Sequence, residues 1–249
     1  MFSFDWTTLT VVALIITLAY TVYGLTGFGA VIVGVPLLAH FYPLRFAVPL
    51  MLIFDLCAGL LLGLRNHRLA HRSELTRLLP YLLIGMVAGV FFLAQVPEAW
   101  LLMVLGVFVL SYSAWSLLVK TATAIVSTRW AISAGLIGGA FTAMFGTGGP
   151  IYVIYLARRL NDAQVLRATI GVLIFGTALF RLLMFTGTGF YAQDHLLTLG
   201  LALLPCVLIG YLLGSHLHTR VPVHQVVRLI WLILVLSGAS LIWRSLAMW

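Results

Sequence analysis

Two glycine-rich runs interrupt otherwise apolar stretches, and they carry backbone groups suited to binding an anion. The runs are Gly24-Leu25-Thr26-Gly27-Phe28-Gly29 and Gly146-Thr147-Gly148-Gly149-Pro150. Glycine costs backbone entropy in a helix and proline removes a hydrogen bond, so each run should break a helix. A half-helix that starts after such a break exposes N–H groups and about half a positive charge, which bind an oxyanion without a charged side chain. The predicted substrate-binding residues are Gly27, Phe28, Gly29, Gly146, Thr147, Gly148 and Gly149. The alternative is close helix packing through small residues, which is common in membrane bundles.

Arg181 lies deep in the apolar stretch 168–185. An arginine at that depth costs about 2.5–3.5 kcal/mol to insert, so such residues usually face a pathway or pair with an acid. Its planar fork of donors suits a sulfonate or a sulfite. Thr177, one helical turn earlier, would add a hydroxyl on the same face. The alternative for Arg181 is that it snorkels to the outer membrane interface.

Asp55 is the one acidic residue inside a predicted membrane span. Three interpretations are open: an ion pair with Arg181, a proton relay for coupled transport, and a cap for an unwound backbone. A fixed negative charge beside an anion site would repel the substrate, so protonation of Asp55 could regulate binding.

Composition identifies the setting of these residues. The chain has 249 residues, of which 63% are hydrophobic and 8% are charged, whereas a soluble domain carries about 25% charged residues. This excludes a soluble enzyme, a disordered regulator and a nucleic-acid-binding domain, and it predicts an integral membrane protein. The net charge of +8 is then typical of Lys and Arg retained in cytoplasmic loops. No HExxH, P-loop or GxSxG motif is present, so we predict a protein that is not an enzyme and binds no cofactor and no metal.

Six stretches are long and apolar enough to span a bilayer as helices. They are residues 46–64, 78–94, 99–119, 168–185, 195–215 and 226–247. Two further apolar segments, 8–42 and 131–157, contain the glycine-rich runs. Broken backbone inside a bilayer must be buried in protein or line a cavity.

The two broken segments indicate an internal duplication. Gly27 and Gly29 precede Gly146 and Gly148 by 119 residues, close to half the chain, and three uninterrupted spans follow each broken segment. The predicted organisation is a first transmembrane repeat over 1–119, a cytoplasmic connecting loop over 120–130 and a second repeat over 131–249.

The distribution of Lys and Arg favours re-entrant hairpins for the broken segments. If both segments return to the side they entered, eleven basic residues lie on one side and two, Arg45 and Arg244, on the other. This is the asymmetry of the positive-inside rule. The eleven are Arg65, Arg68, Arg72, Arg77, Lys120, Arg129, Arg158, Arg159, Arg167, Arg220 and Arg228. Three crossings per half give the halves opposite orientations, as in the inverted repeats of secondary transporters. We therefore predict an all-α polytopic membrane protein of two inverted repeats, each a Gly-broken, re-entrant helical segment plus three transmembrane helices.

The segments YGLTGFGAVIVGVPLL at 23–38 and GGAFTAMFGTGGPIYVIYLA at 138–157 resemble the paired glycine-rich motifs of the TauE/SafE sulfite exporter family, also called the toluene-sulfonate uptake permeases (TSUP). Chain length, two-half layout and motif positions match over essentially the whole chain. The first motif departs from the family in having GFGA where many relatives carry a longer glycine run, and relatives are usually drawn with seven or eight full spans.

The resemblance implies a multi-pass protein of the bacterial plasma (inner) membrane that transports small sulfur-containing anions, of the sulfite, sulfoacetate or organosulfonate type. An anion channel, or a transporter of other small anions such as carboxylates, could use the same scaffold. The expected partners are a small anionic substrate and the lipid bilayer, with no nucleic acid. The coupling ion, proton or other, the direction of transport and the oligomeric state stay open. So does the path of the broken segments: they could cross fully instead of re-entering, and 8–42 is long enough for a full span plus a half-helix.

Overall fold

Residues 6–26, 29–62, 67–118, 126–217 and 223–249 are described by a computed structural model, and within them the backbone is helical, without a β-strand. This confirms the all-α class. The helices are α1 Trp6–Thr26, α2 Ala30–Leu38, α3 Leu44–Leu62, α4 Arg72–Gln95, α5 Glu98–Leu118, α6 Trp130–Phe145, α7 Gly149–Ala157, α8 Ala163–Gly187, α9 Leu196–Leu217 and α10 Val223–Leu246. Short 3₁₀ turns occupy His67–Leu69 and Phe190–Ala192.

Five helices of the described residues are long and apolar enough to cross a membrane: Trp6–Leu25, Arg72–Gln95, Glu98–Ser116, Ala163–Gly187 and Leu196–Leu217. At a rise of about 1.5 Å per residue, some 20 residues match a hydrocarbon core about 30 Å thick. Trp130–Phe145 and Ile230–Leu246 are shorter apolar helices. The chain is thus a multi-pass membrane protein.

Both helix interruptions fall at the glycine-rich runs. α1 ends at Thr26 and α2 begins at Ala30, while α6 ends at Phe145 and α7 begins at Gly149. The two segments differ in their first helix: α1 contains 20 residues of spanning character, whereas α6 has 16 residues. Each second helix, α2 or α7, has nine residues and is too short to cross alone.

The helices form two compact units, each of which combines parts of both sequence halves. Unit 1 comprises Met1–Leu50, Val96–Lys120 and Asp194–Trp249, and unit 2 comprises Met51–Gln95 and Thr121–Gln193. The chain first passes from unit 1 to unit 2 inside α3, between Leu50 and Met51. The predicted repeats divide the chain into two halves along the sequence, whereas these units group helices by their contacts. The units therefore do not test the repeats, which stay a prediction.

Unit 2 is built on close packing of α4 against α6. A methyl group at Gly85 of α4 would overlap the carbonyl oxygen of Leu136, and one at Gly89 would overlap that of Ala140. The two backbones therefore meet without intervening side chains, which is how small residues bring membrane helices together. This unit also contains an apolar cluster from α4, α6, α7, α8 and the connection between α7 and α8: Leu78, Leu82, Ala131, Ala134, Tyr152, Tyr155, Leu156, Leu160 and Leu173.

Unit 1 repeats this arrangement with α1 and α9. A methyl group at Gly210 of α9 would overlap the carbonyl oxygen of Thr17, and one at Gly214 would overlap that of Thr21. α5 and α10 form a second close pair in the same unit. There, a methyl group at Gly106 would lie 2.9 Å from the Gly238 carbonyl oxygen, and one at Gly238 would lie 3.1 Å from the Gly106 carbonyl oxygen.

Candidate functional site

The second glycine-rich run ends one helix and starts another within unit 2. Gly146 has a φ of 70°, a left-handed conformation that glycine adopts without the penalty of a Cβ. Its N–H donates to the Thr142 carbonyl over 2.9 Å and so closes the last turn of α6. Gly148 is the N-cap of α7 without a side-chain cap, and Pro150 occupies the first turn. Pro150 has no N–H, and the Ile151 N–H already donates to the Gly148 carbonyl over 3.1 Å, so the first N–H groups at this helix start belong to Gly148 and Gly149.

Thr147, at the centre of this break, has a buried hydroxyl with an unmet hydrogen-bonding capacity. The residue is 1% exposed, and its Oγ1 has no hydrogen-bond partner among the described residues. A buried polar group left unsatisfied costs about 1–3 kcal/mol. Native structures tolerate few such groups, so the Thr147 hydroxyl is a candidate partner for a ligand at this break.

Arg181 of α8 reaches the same break. Its Nη1 donates to the Thr142 carbonyl over 2.8 Å, the carbonyl that also accepts the Gly146 N–H. A cation is favoured there because the C-terminus of α6 carries a partial negative charge. The residue is 2% exposed, so it does not snorkel to the interface. Its Nε is a second buried donor without a partner among the described residues.

Asp55 of α3 balances part of the Arg181 charge. Its Oδ2 lies 3.4 Å from Arg181 Nη2, and the Asp55 side chain is 14% exposed against 3% for that of Arg181. Of the three interpretations offered by the sequence, the geometry corresponds to the ion pair. Whether the carboxyl also exchanges a proton stays a prediction.

Tyr152 is a site residue that sequence reasoning missed. It lies on α7, is 2% exposed, and its phenol interacts with Arg181 and Asp55 and with the hydroxyls of Thr142 and Thr177. The Thr177 hydroxyl itself donates to the Ile174 carbonyl over 3.0 Å, and its contact with a substrate stays a prediction. Nothing in the spacing of GPIYVIYLA separates Tyr152 from an ordinary core aromatic, and only the fold brings it to the ion pair.

Tyr191, in the 3₁₀ turn after α8, is a second phenol close to the ion pair. Its pKa is raised to about 12, mainly because the phenol is buried. The positive charge of Arg181 opposes this shift and the negative charge of Asp55 adds to it. At neutral pH its hydroxyl is therefore protonated and can donate a hydrogen bond. Like Tyr152, this residue carries no sequence signal for a site.

Two neighbouring glycines of the motif have different surroundings. A methyl group at Gly148 would overlap the Gly138 carbonyl oxygen and the Thr142 hydroxyl, so this glycine permits close approach of α6 and the start of α7. A methyl group at Gly149 would meet only the Tyr152 hydroxyl, 3.7 Å away. The packing interpretation of the motif therefore fits Gly148, while Gly149 leaves open space.

The first break lies in unit 1. Gly29 has a φ of 95° as the N-cap of α2, and a methyl group there would meet no atom within 4 Å. The predicted site residues Gly27 and Phe28 lie outside the described residues. That both breaks contact one substrate stays a prediction.

Among the described residues, no group of three or more His, Cys, Asp and Glu is placed to hold a metal ion. The polar groups around the second break are instead one guanidinium, one carboxylate and several hydroxyls. The guanidinium only donates, whereas the hydroxyls can both donate and accept, and those of Thr142 and Thr177 already donate to the carbonyls of Gly138 and Ile174.

Comparison with known proteins covers nearly the whole chain. The family model "Sulfite exporter TauE/SafE" matches residues 12–241. The chain is 28% identical over 201 residues to the "Probable inner membrane transporter protein TsaS" of Comamonas testosteroni, an alignment that covers 78% of this chain and 83% of that protein. No solved structure matches the chain significantly. The matched range includes both glycine-rich breaks, Asp55 and Arg181, and the chain belongs to the TauE/SafE sulfite exporter family.

Proposed function

We propose that the chain is a secondary transporter of the inner membrane that carries small sulfur-containing anions, of the sulfite, sulfoacetate or organosulfonate type. Membership of the TauE/SafE family and the similarity to a protein named as an inner membrane transporter support this class of function. The single observation that carries the location of the site is the pair of unpartnered buried donors at the second break, Thr147 Oγ1 and Arg181 Nε.

A sulfonate or sulfite suits these donors. Both anions present three oxygen atoms around one sulfur, and these oxygens can accept hydrogen bonds. Arg181 supplies a charged donor, Thr147 and Tyr152 supply hydroxyls, and the start of α7 supplies backbone N–H groups and a partial positive charge. The hydrogen-bond donors of the site therefore favour an oxyanion of any kind. That the oxyanion contains sulfur is proposed from family membership.

We further propose that the two chain halves form an inverted repeat. The contact of Gly85 with Leu136 in unit 2 has its counterpart in that of Gly210 with Thr17 in unit 1. Gly210 follows Gly85 by 125 residues, and Leu136 follows Thr17 by 119. α4 and α6 thus pair in unit 2 as α9 and α1 pair in unit 1. This is expected if each unit combines one helix from each of two related halves.

The α5–α10 pair supports the same relation. In this pair, Gly106 and Gly238 each approach the carbonyl of the other. A methyl group at Gly106 would contact the side chain of Ile242, and one at Gly238 would contact that of Leu110. Gly238 and Ile242 both follow their counterparts by 132 residues. A reciprocal contact of this kind is what two equivalent helices make with each other across a two-fold relation.

We propose that α6 and α7 form a re-entrant hairpin. Arg159, after α7, donates from Nη1 to the carbonyl of Val126, before α6, over 3.3 Å. The two ends of the segment therefore meet, and at about 1.5 Å per residue the 16 residues of α6 fall short of a bilayer core about 30 Å thick. The same path for α1–α2 stays a prediction, because α1 alone is long enough to cross.

The proposed function is tested by anion-induced thermal stabilisation of the purified protein, followed by counterflow in proteoliposomes. Sulfite, sulfoacetate, toluene sulfonate, taurine, sulfate and simple carboxylates are compared at equal ionic strength. A specific ligand at 100 times its Kd stabilises by about 2.7 kcal/mol. We expect stabilisation by one class of sulfur anion, and counterflow distinguishes a transporter from a channel.

The matched pair of variants is Thr147→Val and Ser113→Ala. Each removes a buried hydroxyl that has no partner among the described residues, but Ser113 belongs to α5 of unit 1 whereas the second break belongs to unit 2. We expect Thr147→Val to lose the anion-induced shift and Ser113→Ala to keep it. A shift that is equal in both variants would contradict the assignment of the site, and stabilisation only by carboxylates would contradict the sulfur-anion class.

A further inference from the structure

A buried carboxylate at the start of α4 forms a second charged cluster in unit 2. Glu74 is 2% exposed. Its Oε2 accepts a 2.6 Å hydrogen bond from the Tyr155 hydroxyl, and its Oε1 accepts bonds from Arg159 Nε at 3.2 Å and Nη2 at 3.0 Å. Arg77 Nη1 adds a fourth bond at 3.1 Å. Both oxygens of this carboxylate are thus saturated by donors, three of them from guanidinium groups.

This cluster closes the base of the α6–α7 segment. Arg159 bonds to Glu74 with two of its nitrogens and to the Val126 carbonyl with the third. Arg159 lies beyond the end of α7. Its hydrogen bonds to Glu74 raise the pKa of the guanidinium above its ordinary value. Because Val126 precedes α6 and Arg159 follows α7, one guanidinium joins both ends of the segment and Glu74 ties that joint to α4.

The same carboxylate also holds α7 at a point close to the site. Tyr155 and Tyr152 are three residues apart on α7, so they lie one helical turn from each other on the same side. Tyr155 is bound to Glu74, and Tyr152 faces Arg181 and Asp55. A helix of nine residues moves as one rigid piece about 13 Å long. Fixing Tyr155 therefore fixes the rotation and the depth of Tyr152 and of the helix start at Gly149.

Apolar packing of α7 does not provide this registry by itself. Tyr152, Tyr155 and Leu156 share one apolar cluster with Leu78 and Leu82 of α4, and apolar packing of this kind is non-directional and tolerates small sliding movements. The four bonds to Glu74 have defined lengths and angles. Three of them, from Tyr155 and Arg159, are the directional contacts between α4 and the end of α7, while the fourth, from Arg77, lies within α4.

We propose that Glu74 is a positioning residue for the anion site: through Tyr155 and Arg159 it sets where α7 presents its N-terminus and the Tyr152 hydroxyl to the substrate. The inference rests on the proposed function of the second break. It assigns a role to an acid that is not one of the proposed substrate contacts, and it predicts a loss of affinity rather than a loss of turnover when the carboxylate is removed.

The test compares Glu74→Gln with Tyr155→Phe and with the control Arg158→Gln, whose parent side chain is not among the donors to Glu74. Counterflow of toluene sulfonate and of sulfite in proteoliposomes gives KM and Vmax, and hydrogen–deuterium exchange reports on Gly149–Ala157. We expect Glu74→Gln to raise KM about tenfold with Vmax within twofold, and to accelerate exchange in α7. Tyr155→Phe should act in the same direction by a smaller factor, and Arg158→Gln should match the parent protein.

The outcomes separate the inference from the function on which it rests. A parent protein that binds neither anion overturns the proposed function, while exchange in α7 still judges the role of Glu74. Glu74→Gln with the parent KM and the parent α7 exchange overturns the inference alone. If Glu74→Gln does not fold, Tyr155→Phe decides, because it removes one hydroxyl and leaves the charge balance intact.

Discussion

The replacement Asp55→Asn probes the ion pair at the second break most directly. Arg181 is buried, and Asp55, 3.4 Å from its Nη2, supplies the negative charge beside it. Asparagine preserves the shape of the side chain and removes that charge. The guanidinium is then left with the Thr142 carbonyl as its hydrogen-bond acceptor in unit 2, and with an uncompensated positive charge.

The expected magnitude follows from the geometry. Two unit charges 3.4 Å apart attract by about 5 kcal/mol at an effective dielectric constant of about 20. Removing one partner of a buried pair costs about 3–5 kcal/mol in measured cases. We therefore expect Asp55→Asn to reduce the free energy of unfolding by about 3–4 kcal/mol when no anion is present.

Anion binding should change in the opposite direction. In the parent protein an anion bound as proposed would share Arg181 with Asp55 and would be repelled by the Asp55 carboxylate. In Asp55→Asn the anion would be the sole counter-charge, and each 1.4 kcal/mol of relieved competition is a tenfold gain in affinity. We expect toluene sulfonate or sulfite to bind at least about tenfold more tightly, with a larger anion-induced rise in Tm.

Thermal unfolding in detergent, with and without each anion, measures both effects. The control is Asp162→Asn, which alters a carboxylate that caps α8 through the N–H groups of Gln164 and Val165 and lies outside the ion pair. It should lower stability by about 1 kcal/mol at most and leave the anion-induced shift unchanged. An Asp55→Asn protein with the parent Tm and the parent shift would refute the charge balance. A lower Tm without a larger shift would make the pair structural and place the anion elsewhere.

Three further predictions concern the glycines and the proton. Gly148→Ala should lower stability by about 1–3 kcal/mol because its methyl would overlap the Gly138 carbonyl; Gly149→Ala, where there is space, should keep the parent Tm and weaken anion binding, and a Gly149→Ala protein with the parent anion shift would contradict the site. Gly85→Ala and Gly210→Ala should lower Tm by similar amounts, since equivalent methyl overlaps arise in both units; a change confined to one of them would contradict the repeat. If Asp55 relays a proton, uptake by Asp55→Asn should lose the pH dependence that the parent protein shows, whereas an unchanged pH profile would assign coupling to another group.

The helix breaks and most membrane spans could be predicted from sequence because they depend on local properties. Glycine and proline act on their own backbone, so the interruption after Phe145 could be read from Gly146 to Pro150. Spans follow from runs of apolar residues, which must face lipid or protein throughout. The prediction starts the second full span at residue 78, whereas α4 starts at Arg72, since a hydropathy criterion does not count a polar first turn.

The charged cluster around Glu74 could not be predicted in the same way. In the sequence Glu74 lies between Arg72 and Arg77 and looks like part of a water-exposed loop. Its burial depends on Tyr155 and Arg159, more than 80 residues later, which only the packing of α7 beside α4 brings close. The same holds for Tyr152, whose role depends on its distance from residues of two other helices.

The two charged clusters of unit 2 differ in a way that itself argues for a substrate site. At Glu74 both carboxylate oxygens are satisfied, so that cluster can hold α7 without outside help. The ion pair of Arg181 with Asp55 has an N–O distance of 3.4 Å, against 3.0 Å for that of Arg159 with Glu74. Arg181 Nε and Thr147 Oγ1 are also left without partners in the described part of the chain. A partly satisfied buried network is less stable than an apolar core, and natural proteins keep such networks mainly at functional sites. An oxyanion at the break would satisfy both donors at once. Binding would then stabilise the α6–α7 segment itself, which links substrate occupancy to the rigidity of the element that Glu74 holds at its other end.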